Sequence, residues 1–210
     1  MIAIIDYGAG NLGSVEKAFR ALGIDVVITS DPEVVLQAAG VVLPGVGHFK
    51  DCMDKIQAAK MDAAIRKVVY DNRPFLGICV GLQMLFDSSE EGEEPVPGLG
   101  ILKGKIKKFH LPKELKVPHM GWNLVHAVKT SPIFQDIPTA SYFYFVHSYY
   151  LEADSGKIVI GRTNYGFSFD SVVQRGNLFA CQFHPEKSGK IGLQFLKNFV
   201  DIVKESRGIR

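Results

Sequence analysis

The sequence predicts an α/β fold: a mainly parallel central sheet flanked by helices, with additional antiparallel strands in the second half. Over the first 86 residues, short apolar runs alternate with amphipathic runs at helical spacing, as in parallel strands joined by crossover helices. From residue 101 onward, strand-like runs follow one another with hairpin signals and a single closing helix. The chain has 210 residues, is 47% hydrophobic and has a mean hydropathy of +0.10. That composition suffices for a sizeable core, and 1–210 reads as one domain.

Residues 1–5 read as a buried strand that runs into the turn-rich DYGAGNLG. Residues 14–22 set Val15, Ala18, Phe19 and Leu22 on one helical face and stop at Gly23. A second strand follows at 24–28. Ser30-Asp31-Pro32 then opens a short helix, with Pro32 in the tolerated first turn. A third strand at 41–43 ends in PGVGHF, and one helical stretch covers about 49–70. Residues 74–78 form the next strand and 80–86 the next helix.

The second half opens with SSEEGEEPVPGLG at 88–100, an acidic Gly/Pro-rich loop. Strand-like runs occupy 101–109, 142–151, 158–163, 171–173 and 178–183, and Gln174-Arg175-Gly176-Asn177 reads as a hairpin turn. Ser188 is placed to cap a closing helix that reaches about 205. The lysines of KGKIKKFHLPKELK read as decoration of an edge strand.

Lys+Arg 24 against Asp+Glu 22 leaves a net charge of +2, too balanced for nucleic acid or a membrane surface to be the main partner. Three cysteines without C-x-x-C spacing suggest neither a disulfide framework nor a metal site, and they fit a reducing cytoplasm. MIAIIDYGAG reads as a strand, not a signal peptide. No apolar run approaches the roughly 18 to 20 residues that span a membrane.

The stretch FLGICVGLQML concentrates the chemistry. It sets Cys79 between Gly77 and Gly81 at a strand-to-helix corner, the form of a nucleophile elbow. The glycines let neighbouring backbone crowd in, and amides at the helix start favour a thiolate. Cys52 and Cys181 lack such flanks and read as small core side chains. A thiolate nucleophile needs an oriented histidine. Of six histidines, only His184 has a carboxylate at useful spacing, in FHPEKS. An extended backbone there would put His184 and Glu186 on one face.

Pro44-Gly45-Val46-Gly47 follows the third strand and could aim backbone amides at an oxyanion, as could Val80 after the nucleophile. A plain βα turn is the commoner explanation of any single P-G-x-G. Gly8-Ala9-Gly10-Asn11-Leu12-Gly13 matches a dinucleotide fingerprint, with Asp31 near the ribose-binding position. Asp31 precedes Pro32 and reads better as a helix cap, and half of a dinucleotide fold is missing.

Taken together, the elbow, LPGVGHF, PHMGWN, YFYFVHSYY, CQFHPEKSG and the opening DYGAGNLGSV resemble the class I (triad) glutamine amidotransferases over nearly the whole chain. Within them, the chain is similar to the branch that feeds ammonia to a (β/α)8-barrel cyclase subunit in histidine biosynthesis. The resemblance implies Cys79, His184 and Glu186 as the catalytic triad and the amides of Val46 and Val80 as oxyanion donors. It implies Gly47, Gln83, Ser148 and Tyr149 as glutamine contacts, with Ser148 smaller than the threonine often found there. Tyr7, Asn11, Trp122, Asn123, Tyr144 and Lys187 would face the cyclase. No cofactor or metal is implied. The same triad also serves glutaminase subunits of other synthases and cysteine-dependent hydrolases, and both readings stay open here.

Overall fold

The computed structural model describes residues 1–208. Strands β1 (Ile2–Ile5), β2 (Val26–Thr29), β3 (Gly40–Gly45) and β4 (Phe75–Cys79) alternate with helices α1 (Leu12–Ala21), α2 (Pro32–Gln37), α3 (Phe49–Ala58) and α4 (Met61–Tyr70). One turn of helix, α5 (Val80–Gln83), follows β4 without a linker. The two-residue strands β5 (Ser88–Ser89) and β6 (Val96–Pro97) come next, then β7 (Gly104–Lys108), β8 (His119–Ala127), β9 (Ala140–His147), β10 (Tyr149–Ala153), β11 (Val159–Tyr165), β12 (Phe167–Arg175) and β13 (Leu178–Cys181). Helix α6 (Gly189–Glu205) closes the described chain.

The sheet runs β2-β1-β3-β4-β13-β12-β10-β7-β5-β6, and β11, β8 and β9 branch from β12. The strands from β2 to β13 pair in parallel. β12 turns back antiparallel on β13, through the tight turn expected at residues 174–177. Every residue of β1, β3, β4 and β13 is buried, as parallel strands covered on both faces must be. Helices α1 and α6 pack together, and α2 and α3 pack on α4.

Register brings the functional loops to one end of the sheet. Gly45 pairs with Cys79, and Cys181 pairs with Ile78. The ends of β3, β4 and β13 are therefore level, and the segments PGVG, CVG and FHPE leave them side by side.

Several elements differ from expectation. The helical stretch 49–70 is two helices, broken where Lys60 takes φ 53°. The helix expected over 80–86 keeps α-helical form only through Gln83. The run 142–151 is two strands parted at Ser148. β8 is a strand that the residue pattern does not announce. β7 is not an edge: β10 pairs with it on one side and β5 on the other. Lys103 just before it pairs with Asp87, and Lys107 within it pairs with Glu152. Asp31 does cap α2, accepting from Glu33 N at 2.9 Å. Ser188 stands at the start of α6, but its hydroxyl makes no cap bond to the helix. It donates to His184 O at 2.6 Å and accepts from Tyr144 N at 3.0 Å, tying β9 to the FHPE loop. No helix among the described residues is long and apolar enough to cross a membrane.

Candidate active site

Cys79 ends β4 with φ 55° and ψ −112°, a backbone state that L-residues avoid. Such strain costs of order 1–3 kcal/mol and persists only where surroundings over-determine it. Here they do. A Cβ on Gly77 would stand 2.9 Å from Gly81 O, and one on Gly81 would stand 1.9 Å from Leu43 O. The elbow is thus wedged against its own next turn and against β3. The Cys79 thiol lies 3.9 Å from Val146 O and 3.6 Å from the Gln182 Nε2 that donates to it.

His184 is buried three residues beyond β13, and its N–H donates to Tyr144 O at 2.9 Å. Its Nδ1 lies 2.8 Å from Glu186 Oε1, with both side chains all but sealed from solvent. The expected extended backbone is absent. Pro185–Lys187 form a single 3-10 turn, begun by Pro185 at a position where its missing N–H costs nothing. The imidazole and carboxylate meet because the chain curls, not because side chains alternate.

Burial alone would lower the His184 pKa. The neighbouring Cys79 sulfur, by electrostatics and hydrogen bonding, and then Glu186 outweigh it and raise the value to about 10. Nε2 is buried with no partner within hydrogen-bond geometry.

These groups open on a cavity of about 290 Å³. Cys79, His184, Val46, Val80, Gly47, Gln83, Ser148 and Tyr149 all line it. Gln83 Nε2 donates to Tyr149 O at 3.2 Å and to Gln182 Oε1 at 3.0 Å, which fixes the floor. Val46 is 36% exposed and Gly47 sits at φ 97°, whereas Pro44 and Gly45 belong to buried β3. Tyr7 OH donates to Pro44 O at 3.0 Å, and Cys52 Sγ lies 3.5 Å from Val46 O.

The structure turns Tyr7 inward. It is 5% exposed, and burial raises its pKa well beyond the ordinary phenol range. Its ring lies under the PGVG loop and is not part of an outer face, because its hydroxyl finds a buried carbonyl there. Of the other residues expected to face a partner, Trp122 is 55% exposed and packs edge-on to Tyr144 across the β8–β9 pair, and Lys187 Nζ lies 5.9 Å above the Tyr144 ring. Asn11 and Asn123 are half-buried.

Residue spacing gives no hint of Glu91, which lines the cavity and accepts from Phe49 N at 2.7 Å. It is one of several glutamates in an acidic loop. Gln182 has a signal, as a lone amide in the apolar run LFACQF. Cys52 and Cys181 are buried, and burial pushes both thiols up, as expected of core cysteines.

A family model, "Glutamine amidotransferase class-I", matches residues 3–203. The chain is 51% identical over 205 residues to imidazole glycerol phosphate synthase subunit HisH of Moorella thermoacetica, covering 98% of this chain and 96% of that one. It is 50% identical over 204 residues to the protein of the same name from Methanocaldococcus jannaschii, covering 97% and 100%. Among solved structures, a putative GMP synthase component from Thermoplasma acidophilum superposes with a TM-score of 0.73 at 22% identity, over 99% of this chain and 96% of that one. At that identity the likeness speaks for the fold.

Proposed function

The chain belongs to the class-I glutamine amidotransferase family, and from that premise we propose that it is the glutaminase subunit of imidazole glycerol phosphate synthase. It hydrolyses glutamine and passes the ammonia to a (β/α)8-barrel cyclase subunit, which makes imidazole glycerol phosphate and an aminoimidazole carboxamide ribotide in histidine biosynthesis. The observation that carries the chemistry is the convergence of Cys79 with the 2.8 Å His184–Glu186 pair at one cavity.

In this reading Cys79 Sγ attacks the side-chain carbonyl carbon of glutamine, and the amides of Val46 and Val80 receive the oxyanion. Protonated His184 gives its Nε2 proton to the leaving nitrogen, and ammonia departs from the thioester. Acylation removes the charge of Cys79, the larger of the two influences that hold the His184 pKa up. The imidazole then becomes a competent base and takes a proton from water as the water oxygen adds to the thioester carbon; the C–S bond breaks, its electron pair returns to Cys79 Sγ, and glutamate is released. Glu186 orients the ring at both steps and transfers no proton. Gly47, Gln83, Ser148 and Tyr149 hold the substrate, and the carboxylate of Glu91 suits its α-ammonium group.

The cyclase would dock on the face of Trp122, Asn123, Tyr144 and Lys187, with Asn11 in the adjoining N-terminal loop. The exposure of Val46 and the positive φ of Gly47 at the end of β3 support a switch. A missing oxyanion donor costs about 10² to 10³ in rate, so a loop at rest in the wrong state would nearly silence the site. Glutamate release is measured from the chain alone, with the cyclase, and with the cyclase plus its nucleotide ligand. A rise of at least about 10²-fold on the last addition is expected. A full rate from the isolated chain would remove the switch, and no glutaminase activity in any arm would remove the function.

A further inference from the structure

Two buried histidines outside the triad stand in a continuous chain of hydrogen bonds that begins near the exposed Trp122. Asn123 Nδ2 lies 3.2 Å from His119 Nε2, His119 Nδ1 lies 2.9 Å from His147 Nε2, and His147 Nδ1 lies 2.8 Å from Tyr149 O. Only one proton arrangement satisfies every link. The Asn123 amide is pinned, since its Oδ1 accepts from Leu124 N at 2.8 Å and its Nδ2 donates to Asn164 O at 2.8 Å. It therefore presents a donor to His119, and Nε2 of His119 must accept. His119 then donates from Nδ1 to Nε2 of His147, whose own Nδ1–H meets a carbonyl that can only accept. Both ends of the chain dictate the same direction.

The surroundings hold both rings neutral. His119 is stacked between Phe145 at 4.8 Å and Tyr165 at 4.1 Å, and Phe109 and Phe169 flank His147. Burial lowers the His119 pKa to about 4. Burial lowers that of His147 to about 3, outweighing the opposing pull of the Tyr149 carbonyl, with His119 and His184 adding smaller downward contributions.

The Tyr149 carbonyl is where this chain reaches the site. It accepts from His147 and also from Gln83, which bonds Gln182, which donates to Cys79. We propose that His119 and His147 are positioning residues, a pair of imidazoles locked in one tautomeric order that fixes the Tyr149 carbonyl and, with it, the Ser148–Tyr149 edge of the cavity. This rests on the glutaminase reading for the identity of what that edge holds. The tautomers rest on the geometry alone.

The test has two readouts. In the full-length chain labelled with 15N-histidine, long-range proton–nitrogen spectra at neutral pH should show both rings protonated at Nδ1 only. Glutamine kinetics are then read with the cyclase and its nucleotide. His147→Leu removes the donor to Tyr149 O and should raise KM about tenfold, with kcat within about threefold. His147→Asn puts an amide donor near the lost Nδ1 and should recover most of that affinity. His119→Phe keeps the ring stack, frees the His147 tautomer and should raise KM while mixing the His147 signals. An Nε2-protonated or charged ring in the unmodified chain would overturn the proposal without any variant, as would equal KM values for His147→Leu and His147→Asn. An unmodified chain with no glutaminase activity would instead refute the function and leave the spectra to decide the tautomers.

Discussion

Replacing Gly81 by alanine should separate the geometry of the elbow from its chemistry. The added Cβ would lie 1.9 Å from Leu43 O, and ordinary contact begins at 3.4 Å. Backbone must therefore part by the difference, 1.5 Å. Neither side can yield by rotating a side chain, because Leu43 O belongs to the fully buried strand β3 and Gly81 to the turn that begins at Cys79. A misplacement of about 1 Å costs on the order of 10²-fold in rate. Gly81→Ala should lose at least that in kcat/KM for glutamine. Overpacking of this kind costs roughly 1–3 kcal/mol, which for a chain of this size lowers Tm by about 2–12 °C. Gly13→Ala is the control. It lies in α1 with nothing within 4 Å of the new Cβ, and should be neutral or slightly stabilising. The assay compares glutamine-dependent with ammonia-dependent synthesis in the complex, alongside a melting curve. Ammonia-dependent synthesis should persist, because the cyclase does that step. If Gly81→Ala keeps the unmodified kcat/KM, the elbow is not wedged as described and the reasoning fails.

Three further outcomes are expected. A diazo-ketone analogue of glutamine should label Cys79 and spare Cys52 and Cys181, and Cys79→Ala should abolish glutamine-dependent synthesis while sparing synthesis from ammonia. Peptide mapping of the label to either core cysteine would end that assignment. His184→Ala should be nearly as inactive as Cys79→Ala, whereas Glu186→Gln should retain roughly one to two orders of magnitude more activity, since it orients without transferring a proton; equal and undiminished rates would refute the triad. Stability should fall on both sides of about pH 6.5. His119 and His147 have folded pKa values below the unfolded 6.5, so the unfolded chain binds more protons as pH drops, and each ring removes about 2 kcal/mol between pH 6.5 and 5. His184 has its folded value raised to about 10, so its contribution is complete below 6.5 and is lost as pH climbs toward 10. Urea midpoints across pH 5 to 10 check both slopes, and a midpoint flat from pH 6.5 to 5 would contradict the neutral histidine pair.

Short-range pattern determined much of this protein. The alternation of strand and helix over the first half, the cap at Asp31, the turn before β13 and the elbow around Cys79 all follow from side chains within a few residues of one another. The sequence also identified His184 and Glu186 as a pair, although for the wrong geometric reason: proximity in the chain ensured the contact, and a turn rather than a strand makes it. β8 stayed hidden because its hydropathy does not follow its burial: His119 is buried and Gly121 and Asn123 half-buried, while Met120 and Trp122 are left outside. The break at Ser148 was equally hard to see, since the aromatic run resumes directly after His147-Ser148. Tertiary structure alone decided that Tyr7 lies beneath the PGVG loop, that Gln182 donates to Cys79, and that Asn123, His119 and His147 form one line to Tyr149. The decisive contacts join residues 37, 103 and 28 positions apart: Tyr7 with Pro44, Gln182 with Cys79 and His119 with His147. A residue's own neighbours set its backbone preference, but a buried polar atom must take whatever donor or acceptor packing brings within about 3 Å, and only the folded sheet specifies that.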